Sequence, residues 1–369
     1  MEKSLYSKEL ESIKKSNRFR TRELFDDNLV DLASNDYLGL STNKTLFENT
    51  YKTLLKENYH SPKASMLVNG YSKIHKKFED RLCEVNDFEA GVILGSGFLA
   101  NVSMIEALCR KNDTLFIDEE YHASGILATK LLKPEQVIIF NHNDYKDLEI
   151  KISQNQRTGR NIIAIEGVYS MGGDLAPIEI FQIADEKKAI LIVDEAHSFG
   201  VIGDNLLGIF DYYKIKPTSY HVKMGTLGKA YGSYGAYILS SKEINEFLIN
   251  RAKPIIYSTA PSLFDTALAL ESLNYIIDNK KDLKEQITKN LNIVYKILGI
   301  KSQSLIIPID IGDNKKVKEI QEILKQKGFL VGAIRQPTVK SAIIRLIAKI
   351  DIDENNLIDL CNLLKDLKC

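Results

Sequence analysis

The chain is 369 residues long, with 49 Lys and Arg balanced by 49 Asp and Glu, so the formal net charge is zero and leaves no electrostatic footprint for nucleic acid or an anionic membrane. The length exceeds one small module and points to two domains or one large α/β unit. A hydrophobic fraction of 44% with 27% charged residues belongs to a globular chain with a large core and excludes disorder.

The N-terminal stretch MEKSLYSKELESIKKSNRFR is polar and helical in character, and residues 1–40 read as an arm that returns to another part of the chain or embraces a partner. It has no apolar h-region, and nowhere do eighteen apolar residues run together, so a cytoplasmic protein is expected. Short apolar, β-branched runs then alternate with helical stretches. The expected strands are Gly91–Leu94, Thr114–Asp118, Gln136–Phe140, Ile162–Glu166, Ile190–Asp194, Tyr220–Met224 and Gly235–Leu239. Several are apolar throughout, as strands buried on both faces must be. With crossover segments such as Ile178–Lys187 between them, they predict a mostly parallel sheet in a large α/β domain over residues 41–261. From 262 to 369 the texture changes to a long helical stretch, Ser262–Leu298, and shorter pieces at Leu305–Ile311, Lys315–Lys327 and Ile343–Ile347. This reads as a smaller α+β domain. Cys83, Cys109, Cys361 and Cys369 lack C-x-x-C spacing and read as reduced thiols, with no disulfide framework or metal site.

In AILIVDEAHSFGVIG (189–203), five apolar residues end at Asp194, which places a carboxylate at the carboxyl end of a buried strand, where open α/β sheets bind ligands. His197 follows three residues later. A helix N-cap is the bland reading of such an Asp. In KMGTLGKAYGSYGAY (223–237), Lys229 sits among glycines that let a flat cofactor approach its amine. The bland reading is a solvated loop lysine. Together, the lysine and an acid 35 positions earlier match what pyridoxal phosphate needs: a Schiff-base lysine, and an ionised partner that keeps the pyridinium protonated. GSGFLANVSMIEAL (95–108) supplies a phosphate anchor, for the backbone N–H groups of Gly97 and Phe98 lie at the positive end of an amphipathic helix. In DEEYHASG, Asp118 ends a strand and His122 follows on a loop, where a neutral ring can stack on a pyridine face. His60, His75, His142 and His221 have no such setting and receive no role.

The ordered blocks SNDYLGLS (34–41), GSGFLAN (95–101), YHAS (121–124), EGVYSMGGDLAPI (166–178), DEAHSFGVIG (194–203), TLGKAYG (226–232), YSTAPS (257–262) and AIRQPTV (333–339) resemble the α-oxoamine synthases. These are fold-type-I pyridoxal-phosphate enzymes that condense an amino acid with an acyl thioester. The resemblance implies that Lys229 forms the Schiff base and moves the Cα proton, that Asp194 pairs with the pyridinium, and that His197 meets the phenolic oxygen. It implies that His122 stacks on the ring, that Ser170 lies near the phenolic oxygen, and that Gly97, Phe98 and Thr226 bind phosphate. Thr259 is similar to the residue that reaches the phosphate from the other subunit of a homodimer. Arg345 is the implied partner of the amino-acid carboxylate, and Arg20 and Thr338 match substrate-contacting positions, with Arg18 as the alternative on the arm.

AIRQPTV resembles the branch that joins L-alanine to a pimeloyl thioester, carried by coenzyme A or an acyl carrier protein, in biotin synthesis. Branches that use glycine with an acetyl thioester or serine with a palmitoyl thioester stay open, as do a non-catalytic subunit of the same fold and an aminotransferase. Two departures from the family pattern stand out: SPKASM (61–66) replaces a glycine-rich stretch, and the interval from Thr338 to Arg345 is about two residues short.

Overall fold

The computed structural model describes residues 5–16 and 18–368, so Met1–Ser4, Asn17 and Cys369 lie outside the described residues. In chain order the strands are β1 (Val30–Asp31), β2 (Ala90–Leu94), β3 (Thr114–Asp118), β4 (Val137–Phe140), β5 (Asn161–Glu166) and β6 (Ile190–Asp194). They continue as β7 (His221–Thr226), β8 (Ala236–Ser240), β9 (Ile306–Gly312), β10 (Phe329–Leu330), β11 (Gly332–Ile334) and β12 (Ala342–Ile347). Seven form one sheet in the order β2-β8-β7-β6-β5-β3-β4, in which β8 alone runs opposite to its neighbours. All seven expected strands are present, displaced at most two residues at either end. The displacement at β4 arises because Gln136 closes a 3-10 turn, Pro134–Gln136.

The near-continuous apolar runs have a direct cause. Successive side chains of a strand point to opposite faces. Ile163, Ile165, Leu191 and Val193 enter one core, while Ile162, Ala164, Ile190 and Ile192 enter the other. Gly97–Leu108 and Lys242–Arg251 help to form the second core. The first is continuous with the smaller antiparallel sheet, β11-β12-β9, through Leu305, Ile307, Ile344 and Leu346.

The predicted single helical stretch 262–298 is two helices, Leu263–Asp278 and Lys280–Leu298. They are broken at Asn279, whose side-chain amide donates to the Tyr275 carbonyl at 2.8 Å in place of regular propagation. The first helix packs on Lys44–Leu54 and Lys73–Asn86, and the second on Glu354–Lys368. The arm is anchored at its distal end. β1 pairs in parallel with β10, the Leu32 carbonyl accepts from Ile347 N–H at 2.9 Å, and the Tyr37 carbonyl accepts from Ile350 N–H at 3.1 Å. Cys83, Cys109 and Cys361 are free thiols. No helix among the described residues is long and apolar enough to cross a membrane.

One buried ion pair stiffens the sheet beside its ligand-binding edge. Lys223 on β7 and Glu195 just after β6 are 1% and 0% exposed, with Nζ and Oε1 3.6 Å apart. Lys223 donates to Asn86 Oδ1 (2.8 Å) and to the Leu207 carbonyl. Glu195 accepts from the backbone N–H groups of Ile209 and Phe210 and from the Ser198 hydroxyl. The pair thus ties the loop 195–210 to the sheet. Removing one partner leaves a buried charge uncompensated, so Lys223→Met should lower the urea-unfolding free energy by about 3–5 kcal/mol. Adding Glu195→Gln should recover part of it. A loss below about 1 kcal/mol would show that the loop does not depend on the pair.

Candidate active site

Strands β2, β3, β5, β6 and β7 all end at the same edge of the sheet, and each ends where its apolar run meets a polar or small residue. Parallel pairing turns these sequence positions into neighbours. A cavity of about 240 Å³ lies there, lined by Gly97, Phe98, His122, Asp194, His197, Thr226 and Lys229, seven of the residues singled out from sequence. Asn101, Ser124, Glu166 and Tyr234 line it as well.

At one side, the helix Gly97–Leu108 begins after Ser96, whose hydroxyl accepts from Leu99 N–H at 3.3 Å. The N–H groups of Gly97 and Phe98 lie in the first turn, where no intrahelical acceptor exists. Thr226 Oγ1 is buried without a hydrogen-bond partner. A Cβ on Gly97 would fall 2.5 Å from Thr226 Cγ2, so glycine keeps this approach open. A buried orphan hydroxyl beside free helix N–H groups is a donor set for a phosphate. These residues therefore fit the phosphate end of pyridoxal phosphate.

Asp194 is held rigidly: Oδ1 accepts from Ala196 N–H at 3.0 Å and Oδ2 from Asn101 Nδ2 at 2.9 Å. Asn101 is itself fixed, because it donates to Ser124 Oγ (2.9 Å) and accepts from Tyr121 Oη (2.6 Å). His122 is exposed at the rim. Its Nδ1 accepts from Ser124 N–H at 3.3 Å and meets Ser124 Oγ at 2.7 Å. Burial of the ring nitrogens and then the Lys229 charge lower its pKa against the attraction of Asp194, so the ring stays neutral.

The Lys229 amine is enclosed and lies 2.7 Å from His197 Nε2, and His197 Nδ1 lies 2.5 Å from the hydroxyl of fully buried Tyr37. Burial first, then Arg345, push the amine down to about 8, against the pull of Asp194 and Glu166. Burial and the cations Lys229 and Arg345 hold His197 well below the usual histidine range. Glu166, adjacent to Asp194 in the sheet register, is pushed well up by burial and by the Asp194 charge. It therefore keeps its proton. Its Oε2 accepts from Ser170 N–H at 3.1 Å, and Oε1 is buried without a partner.

Arg345 and Ser170 border this cavity and do not line it. Arg345, 5% exposed on β12, donates from Nε to the Ser170 carbonyl (2.8 Å) and from Nη2 to Asn35 Oδ1 (3.0 Å). Three other expected residues are not brought to the cavity of the single chain. Thr259 is exposed in a bridge with Ser65, Thr338 is exposed in a turn, and Arg20, like Arg18, is exposed on the arm. Tyr37, Asn35, Asn101 and Glu166 were missed, although SNDYLGLS, GSGFLAN and EGVYSMGGD contain them. The available signal was a polar residue embedded in, or ending, an otherwise apolar run.

Residues 27–363 match the family model described as aminotransferase class I and II. The chain is 47% identical over 363 residues to the 8-amino-7-oxononanoate synthase of Helicobacter pylori, covering 98% of this chain and 97% of that protein. Among solved structures, the 8-amino-7-oxononanoate synthase of Francisella tularensis superposes with a TM-score of 0.77 at 25% identity, covering 92% of this chain and 98% of that one. The serine palmitoyltransferase of Sphingomonas wittichii shares the fold with a TM-score of 0.88 at 21% identity, covering 99% and 98%.

A lysine displaced from its usual 10.5 to about 8 is half neutral near pH 8. In the cofactor-free protein, acylation of the Lys229 amine, followed by peptide mass spectrometry, should rise with pH about a midpoint near 8. A midpoint at the ordinary lysine value of roughly 10.4 would contradict the enclosed setting.

Proposed function

Since the chain belongs to the class I and II aminotransferase family and, within it, to the α-oxoamine synthases, we propose that it makes 8-amino-7-oxononanoate for biotin synthesis. The reaction is the condensation of L-alanine with a pimeloyl thioester of coenzyme A or an acyl carrier protein, with loss of CO2. The observation that carries this reading is the Lys229 amine held 2.7 Å from His197 Nε2 in the cavity that Asp194, His122 and Thr226 also line.

Pyridoxal phosphate, when bound, supplies a conjugated electron sink that acidifies the alanine Cα–H and eases the later loss of CO2. The residues divide the remaining work. Gly97, Phe98 and Thr226 would hold the phosphate, and Asp194, pinned by Asn101, would be the acidic partner of the ring nitrogen. His122 covers one ring face, while His197 and Ser170 serve the phenolic oxygen. Lys229 anchors the cofactor, then, as a free amine, takes the proton from alanine Cα and returns it to the product. Its lowered basicity suits both directions of transfer near neutral pH. Arg345 receives the alanine carboxylate through its guanidinium fork.

The enzyme is cytoplasmic and works as a homodimer. Thr259 of one protomer reaches the phosphate held by the other, in keeping with its exposure and its absence from the cavity of its own chain. Residues 1–40 act as an arm, 41–261 as the cofactor domain and 262–369 as the small domain that carries Arg345. Arg20, or Arg18 beside it on the arm, and Thr338 contact substrate.

Purified protein should be yellow, and borohydride should fix the cofactor to Lys229. L-alanine with a pimeloyl thioester should turn over faster than glycine with acetyl-CoA or serine with palmitoyl-CoA. No pimeloyl turnover, or preference for either other pair, would overturn the assignment. Lys229→Ala should lower kcat by about 10²–10⁴-fold. Arg345→Lys, which keeps charge and loses the fork, should raise KM for L-alanine by about tenfold to a hundredfold.

A further inference from the structure

His142 carries no motif signal and does not line the cavity, yet it joins two of the loops that build it. Its Nδ1 lies 2.9 Å from Asp118 Oδ1 and its Nε2 2.8 Å from Asp174 Oδ2. Asp118 ends β3 and is fully buried, and its chain continues directly to His122. Asp174 closes the turn that presents Ser170, where Tyr169 N–H donates to the Asp174 carbonyl and Gly173 N–H to the Tyr169 carbonyl. A neutral imidazole has one N–H and an ionised carboxylate can only accept, so two carboxylates, one on each ring nitrogen, call for the imidazolium.

The neighbouring residue repeats the bridge. Asn143, at φ +53°, donates its backbone N–H to Asp118 Oδ2 (2.9 Å) and its side-chain amide to Asp174 Oδ2 (2.6 Å) and the Leu175 carbonyl (3.1 Å). The His142 ring stands edge-on to Tyr169, with centroids 4.3 Å apart. Glu120 lies 3.8 Å from Nε2, and Glu119 accepts from the His142 backbone N–H. Both acids also meet Lys340 from the small domain. Burial pulls the imidazole pKa down, but the hydrogen bonds and charges of Asp118 and Asp174 outweigh it and push the pKa up to about 10.

We propose that His142 is a positioning residue. As an imidazolium it fixes the spacing between the loop carrying His122 and the turn carrying Ser170, and through the Ser170 carbonyl it sets the guanidinium of Arg345. This rests on the roles given above to His122 and Arg345. Replacing the ring by a neutral side chain leaves Asp118 and Asp174 facing each other uncompensated, and the loops relax apart. Sub-ångström errors at the ring face and the carboxylate fork follow.

The test uses the holoenzyme. His142→Gln should raise KM for L-alanine about tenfold while kcat changes less than about threefold, the pattern of misplacement without loss of a reacting group. The visible circular dichroism of the bound cofactor should weaken at unchanged far-ultraviolet circular dichroism. Asp174→Asn keeps the shape of its part-exposed side chain and should give a smaller change in the same direction. It carries the test if His142→Gln does not fold. Parent-like KM and visible dichroism in the folded variants would overturn the proposal. So would a fall in activity at unchanged KM that tracks the loss of folded protein, which is what a merely structural histidine gives. A parent protein that binds no pyridoxal phosphate would instead sink the proposed function, so the two failures are distinguishable.

Discussion

Asp194 and Glu166 end neighbouring parallel strands in direct register, and everything in the cavity answers to that pairing. Adjacent strands lie about 4.8 Å apart. Burial first, and then the Asp194 charge, push Glu166 well above the usual carboxylate range, so Glu166 keeps its proton. Asp194 is the one with N–H donors on both oxygens, from Ala196 and Asn101. Burial, with Arg345 beside it, outweighs the acids facing Lys229, and its amine falls toward neutrality. His197, held neutral by burial and by the charges of Lys229 and Arg345, links Lys229 to Tyr37 by hydrogen bonds.

Within a chain of balanced charge, 49 against 49, two buried pairs stand out. Its charges are used locally, within the fold. Lys223 and Glu195 compensate each other beneath the loop that bears His197, and His142 compensates Asp118 and Asp174 at the end of β3. Of the acids along the carboxyl edge of the sheet, Asp118 is thus paired with His142 and Glu195 with Lys223. What remains open to the cavity is a small set of groups with unmatched charge.

The strand ends were legible because an apolar run that stops at Asp118, Glu166 or Asp194 states both the strand and its terminus. The lysine at 229 was legible from its glycines. What depended on tertiary placement was not. Arg345, inside the apolar run IIRLI, was reached only through the family resemblance, because its contacts with Ser170 and Asn35 depend on β12 pairing with β9 and β11. The break at Asn279 lacks a glycine or proline and interrupts an unbroken helical texture. Tyr37, Asn101 and His142 act through hydrogen bonds to residues 160, 93 and 32 positions away, which no periodicity encodes.

The anchorage of the arm also dictates when the site is completed during synthesis. Tyr37 is made early, but its segment is held by Phe329–Leu330 through β1, by Ile347 at Leu32 and by Ile350 at its own carbonyl. His197 therefore gains its tyrosine partner only after the ribosome has delivered nearly the entire chain. A growing polypeptide can build the seven-stranded sheet and the phosphate end of the cavity well before it has a finished proton network. The last strand thus closes the hydrogen-bonded circuit that the first forty residues begin.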